Sequence, residues 1–184
     1  MPFAITLLVL GFVLPTERLT SNRSLALALA GQWPSLIAYV LSFAVIGIMW
    51  QNHHALFRRI ARVDRTTVLW NLLLLAGTAF IPFATSTLGR YPTMSAAAFL
   101  YGLTLSETAT CYNLMLRHLA RSGAFESSVS AATIAESIKA YTTGWITYAV
   151  ATLLALVLPV ASFAAYIIIA VYYLIPRGVD SDRG

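Results

Sequence analysis

Charge is what this chain lacks most. Of its 184 residues only 10% are charged, while 59% are apolar, and mean hydropathy is +0.75. A water-soluble domain carries about 25% charge and about 45–50% apolar residues. The surplus of apolar surface here leaves the bilayer as the solvent. The single cysteine, Cys111, excludes an intrachain disulfide and a cysteine-bound metal cluster. Histidines are few, and the adjacent pair His53-His54 would point about 100° apart on a helix, a poor chelate. A His-Glu-x-x-His pattern is missing, and no nucleophile–base pair stands out, so the chain is not expected to be an enzyme. The net charge of +5 does not suggest nucleic acid. The arginines fall in short segments between apolar runs, as membrane topology requires.

What is present is a series of long apolar runs. A spanning helix needs about 20 apolar residues to cross a hydrocarbon core of about 30 Å. Six runs qualify as candidates: Pro2–Leu14, Pro34–Asn52, Thr67–Leu88, Met94–Leu116, Ala140–Leu158 and Val160–Ile175. Pro15, Pro159 and Pro176 mark ends, and Pro34 and Pro92 mark beginnings. The pattern predicts an all-α polytopic membrane protein of six transmembrane helices. It forms one domain over residues 1–184, with a C-terminal tail at 177–184.

Orientation follows from the basic residues. Arg58, Arg59, Arg62, Arg65, Arg117, Arg121, Lys139, Arg177 and Arg183 fall on one side, and Arg18, Arg23 and Arg90 on the other. Positive charge marks the cytoplasmic face. Both termini are therefore expected inside the cell, in the cell membrane. The first run is short: Pro2–Leu14 makes only about 20 Å of helix. A signal peptide has an apolar stretch of this size, but a basic leader and a small-residue cleavage site are both lacking. The expectation is that the natural helix begins upstream of Met1.

Polar residues inside the runs are few enough to weigh singly. Trp50 and His53 share a helix face at i and i+3. They suit a hydrogen-bond network, a proton site, or an interfacial aromatic belt with wet histidines. Asn71, one turn into the third run, needs a partner on another helix. Glu107 lies near the middle of the fourth run, beside Ser106, Thr108, Thr110 and Asn113. It could bind a cation or a proton, or lie neutral and bonded to a neighbouring helix. In the first run Phe3, Leu7 and Leu10 line one face, with Thr6 next to it. On periodicity alone this is an apolar packing stripe.

Taken together, several stretches resemble a known family. Ala4-Ile5-Thr6-Leu7-Leu8-Val9-Leu10 is one. Gly47-Ile48-Met49-Trp50-Gln51-Asn52-His53-His54-Ala55-Leu56-Phe57 is the second, followed by Asp64, Asn71-Leu72 and Pro82-Phe83. The sequence resembles the prokaryotic members of the transmembrane protein 175 family of potassium channels. The match is by motif in the first half and by span pattern in the second. The family's Arg-x-x-x-Phe-Ser-Asp motif is missing, and in relatives it would precede Ala4. The resemblance implies a homotetramer around a central pore lined by the first helix of each subunit, with no cofactor beyond the permeant potassium ion. It places Phe3, Leu7 and Leu10 at a hydrophobic constriction, where relatives carry isoleucine or leucine in place of Phe3. It matches Thr6 to a threonine layer linked to selectivity. It makes Trp50, His53 and Asn71 a structural polar network that the missing motif would complete. The Thr-Val-Gly-Tyr-Gly filter of ordinary potassium channels is absent, so selectivity is expected to be modest.

Two functions of different class follow. One is a passive, potassium-permeable cation channel. The alternative is a proton-coupled secondary transporter using Glu107 or His53, although no matched pair of broken helices marks two halves. The topology is directly testable. A reporter fused after Gly184 and another placed in the Ser86–Thr93 segment should report opposite sides of the membrane. Reporters on the same side would overturn the six-span arrangement.

Overall fold

A computed structural model of the chain describes residues 2–13 and 21–173, with side chains from residue 4 onward. The described residues form seven α-helices and one 3-10 turn. They are α1 (Pro2–Leu8), α2 (Asn22–Ala30), α3 (Trp33–Phe57), α4 (Arg65–Arg90), α5 (Ser95–Arg121), α6 (Ala131–Leu154) and α7 (Pro159–Tyr173). Helices α3 and α4 are each long and apolar enough to cross a bilayer, with mean hydropathy 1.7. At 27 and 24 residues, α5 and α6 reach about 40 Å and about 36 Å. They carry more hydroxyls, and these are used inside the bundle.

The antiparallel pair α4–α5 is the centre of the bundle. Helix α3 packs on α4, α6 packs on α5, and α7 folds back over α6, α5 and α3. Helix α1 lies against α4 and α3. Ala4 and Leu8, at i and i+4, are the residues by which α1 enters the core beside Leu41, Val45, Ile81 and Leu88. The alternation brings Arg58, Arg59, Arg62, Arg65, Arg117, Arg121 and Lys139 to one end of the bundle, called here the basic end. Arg23 and Arg90 lie at the other. Arg18, Arg177 and Arg183, and the tail 177–184, lie outside the described residues.

Several boundaries differ from the sequence reading. The first run is α-helical only to Leu8, then tightens into a 3-10 turn over Val9–Gly11 and extends at Phe12. Glycine is a poor helix former, and Gly11 lies where a Cβ would come within 3.3 Å of Ser86 on α4. Leu14 is outside the described residues. Helix α6 begins at Ala131 rather than Ala140, because Ser130 caps it by accepting from the Thr133 amide at 3.1 Å. Its fifth-run partner segment ends at Leu154 rather than Leu158, and residues 155–158 make the turn into α7. Helix α3 continues past Asn52 to Phe57.

Helix α2 falls where the sequence reading placed a loop. It starts with a capping box in which Ser21 Oγ accepts from the Ser24 amide and Ser24 Oγ accepts from the Ser21 amide, both at 3.1 Å. Such a box normally ends in Glu or Gln, and the serine version hid the signal. At nine residues α2 is about 14 Å long, too short to cross, and it buries none of its residues.

The basic end is tied together by backbone as well as side chains. Ile60 and Phe125 form an antiparallel bridge between the α3–α4 and α5–α6 connections. The Ala61 amide donates to Ala124 O at 2.9 Å, and the Glu126 amide donates to Arg59 O at 3.0 Å. Asp64 caps α4, accepting from the Thr67 amide at 2.8 Å and the Thr67 hydroxyl at 2.7 Å. Its second oxygen meets His118 Nε2 at 2.7 Å. The Thr67 amide and hydroxyl, then His118, hold the Asp64 carboxyl well below the usual carboxylate range.

Hydroxyl-to-glycine notches set the spacing of the other helices. Gly102 on α5 faces the Tyr166 hydroxyl of α7 and Thr152 Oγ1 of α6, and a Cβ there would overlap the Tyr166 oxygen. Tyr166 is fully buried and donates to Ala98 O at 3.2 Å. Gly47, by contrast, has open space where a Cβ would go. Gly102→Ala should therefore destabilise the detergent-solubilised protein by about 1–3 kcal/mol. Gly47→Ala should be neutral, or stabilising by up to about 1 kcal/mol. Equal thermal midpoints for the two variants would contradict this packing.

Candidate functional site

Two places carry the residues singled out in the sequence. The first is the outer face of α1. Ala4 and Leu8 are buried, at 5% and 2% exposure, while Leu7 and Leu10 are 46% and 70% exposed. Thr6 is exposed with them. Residues 3, 6, 7 and 10 share a helical face opposite Ala4 and Leu8. On that face Leu7 and Leu10 stay largely uncovered by the described residues. The side chain of Phe3 lies outside the described residues.

The second place is the seam between α3 and α4 toward the basic end. His53 Nε2 lies 2.7 Å from Asn71 Oδ1, a hydrogen bond between the two helices. The His53 ring also stacks on Phe57, with centroids 4.4 Å apart. Trp50 is not brought to this pair. Its ring stacks on His54 at 5.9 Å, and it is 46% exposed. Residues four apart lie one above the other on a helix, and the turn of His53 toward Asn71 leaves Trp50 over His54. The expected three-residue network is thus a His53–Asn71 bond with Trp50 beside it on another face.

Glu107 sits on α5, where it faces α4. Its Oε1 accepts from the Cys111 thiol at 3.2 Å. Its Oε2 is buried without a hydrogen-bond partner, and it lies against Gly77 of α4, where a Cβ would overlap it. The glycine makes room for the carboxyl between the two helices. Among the described residues, no three His, Cys, Asp or Glu side chains come close enough to hold a metal ion.

The sequence reading passed over two other arrangements. Ser42 Oγ lies 2.7 Å from Thr85 Oγ1 and 3.0 Å from the Tyr101 hydroxyl, all buried, joining α3, α4 and α5. The Tyr112 hydroxyl donates to Asn52 O at 3.2 Å, tying α5 to the α3 backbone near the basic end. Lone hydroxyls such as Ser42 and Thr85 in otherwise apolar runs were the available signal, since each must find a partner away from lipid.

The fold and these seams define a polytopic α-helical membrane protein whose polar groups pair between helices and whose first helix keeps one apolar face uncovered. Residues 1–82 match the family model described as "Endosomal/lysosomal potassium channel TMEM175". A potassium channel of Streptomyces collinus is 37% identical over 175 residues, 92% of this chain and 84% of that protein. A potassium channel of Chamaesiphon minutus is 38% identical over 120 residues, 64% of this chain and 59% of that one. The rat endosomal/lysosomal proton channel TMEM175 is 39% identical over 74 residues, which span 39% of this chain and 15% of that protein. The chain is also similar to the crystal structure of a lysosomal potassium-selective channel TMEM175 homolog from Chamaesiphon minutus. That likeness has a TM-score of 0.84 at 31% identity, covering 94% of this chain and 89% of that one. The chain belongs to the TMEM175 family.

The His53–Asn71 bond has a direct test. His53→Ala leaves the Asn71 amide without its partner on α3 and should cost about 1–3 kcal/mol. His54→Ala removes only a stacking contact at the surface and should cost less. Thermal unfolding of the two purified variants checks the order, and silence of both would reduce the cluster to an interfacial belt.

Proposed function

We propose that the chain is a potassium-permeable cation channel whose ions pass along the uncovered face of α1. The family supports the channel reading, since its relatives are named potassium channels, and a channel is not an enzyme. The observation that carries the pore assignment is the division of α1. Ala4 and Leu8 anchor it to α4 and α3, and the exposed Leu7 and Leu10 are left for another surface. One apolar helix face cannot enclose an aqueous path. Several copies must therefore contribute it, and a homotetramer with α1 at the axis satisfies that need.

In this arrangement Phe3, Leu7 and Leu10 form the constriction. An apolar ring excludes ions until it widens enough to wet, so these residues gate by dewetting. Thr6 is the side chain on that face with an oxygen to offer a cation, so discrimination between potassium and sodium depends on it. The His53–Asn71 bond acts structurally, fixing α3 against α4 and hence the groove in which α1 lies. The basic end faces the cytoplasm, with both termini there, and the protein resides in the cell membrane. The unpartnered Glu107 oxygen is the feature on which a proton-coupled transporter would rest.

Electrical recording from reconstituted protein separates these readings. Leu7→Asn should raise leak several-fold, because a polar ring stays wet. Thr6→Ala should lower the potassium preference while leaving conduction. Unchanged currents in both variants would move the pore away from α1 and toward the groups around Glu107.

A further inference from the structure

The outer seam between α5 and α6 carries a group that neither the pore nor the polar core uses. Arg117 is partly buried there, and two neutral side chains hold its guanidinium. Its Nε donates to Asn113 Oδ1 at 2.6 Å, and its Nη2 donates to Thr142 Oγ1 at 2.7 Å. The holders are themselves fixed. Asn113 Nδ2 donates to Thr142 Oγ1 at 3.2 Å, and the Thr142 hydroxyl donates to Ile138 O at 2.6 Å. The guanidinium is thus locked in place with its charge unopposed. Among the described residues no carboxylate pairs with Arg117, and Asp64 pairs with His118 instead.

Depth and surroundings say what would oppose that charge. Arg117 lies one turn before the end of α5 at Arg121, about 6 Å inside the helix terminus. Arg121 follows it at i+4, and Lys139 precedes Thr142 at i−3, both exposed. Each therefore shares a face with the Arg117 cluster, one turn closer to the basic end. On the other side the seam is apolar and open, with Leu114 and Ile146 at 37% and 49% exposure. A cationic group above an apolar slot matches a molecule that has an anionic phosphate above hydrocarbon. Guanidinium binds phosphate oxygens through paired N–H donors.

We propose that Arg117, with Arg121 and Lys139 around it, is a binding site for the phosphate headgroup of an anionic phospholipid, whose chains lie along Leu114 and Ile146. The site lies on α5 and α6, so it regulates or stabilises the bundle from the lipid side without entering the path along α1.

The test uses the purified full chain in detergent, with phosphatidylglycerol or phosphatidylcholine of the same chains added. Phosphatidylglycerol should raise the thermal midpoint of the wild-type protein by about 4 °C more than phosphatidylcholine does. Native mass spectrometry should show a retained phosphatidylglycerol adduct. Arg117→Gln should lose most of the rise and the adduct, and the double variant Arg121→Gln/Lys139→Gln should lose part of both. An undiminished rise in folded Arg117→Gln overturns the proposal. If that variant does not fold, an undiminished rise in the exposed double variant does so instead. An equal rise with millimolar inorganic phosphate overturns the lipid assignment in favour of a soluble anion.

Discussion

A polar group inside a bilayer has no water to bond, so it must find its partner on another helix of the same assembly. Nearly every interhelical feature of this bundle answers to that demand. Ser42, Thr85 and Tyr101 meet where α3, α4 and α5 converge. Ser106 and Thr152 lie 3.0 Å apart between α5 and α6. His53 and Asn71 close the seam between α3 and α4. Lipid tails are as apolar as leucine, so burial of leucine alone would not choose among helix pairings. The hydroxyls and amides make that choice, and glycines such as Gly77 and Gly102 give them room.

This division explains how one bundle serves two purposes. The α4–α5 pair and its neighbours form a rigid frame, reinforced at the basic end by the Ile60–Phe125 bridge and the Asp64 cap. Helix α1 buries Ala4 and Leu8, with Ile5 partly buried beside them, and packs mainly on α4 and α3. Among the described residues, Glu107 Oε2 is a buried side-chain oxygen without a hydrogen-bond partner, lying between α5 and Gly77.

Much of the class was legible before any coordinates. Scarce charge and long apolar runs require a helical membrane protein, because only helices or closed barrels satisfy the backbone in lipid. The helical runs were found in order because proline and charge punctuate them. The family was legible in local text, from Ala4–Leu10 and Gly47–Phe57 through Asn71 and Pro82. Boundaries were less legible where capping chemistry was unusual, as at Ser21 and Ser24 of α2 and at Ser130 of α6.

By itself, then, the sequence determined the helical membrane class, the grouping of basic residues at one end, and the family. These depend on composition and local spacing, which a single chain displays directly. Only the tertiary structure decided which polar residues meet. Trp50 and His53 share a stretch of helix, yet His53 turns to Asn71 while Trp50 lies on His54. Ser42 finds Thr85 and Tyr101 from far along the chain, and Arg117 is fixed by Thr142 across the α5–α6 seam. Helix rotation and register select these pairs, and both are settled by packing of whole faces against one another, which no local pattern records.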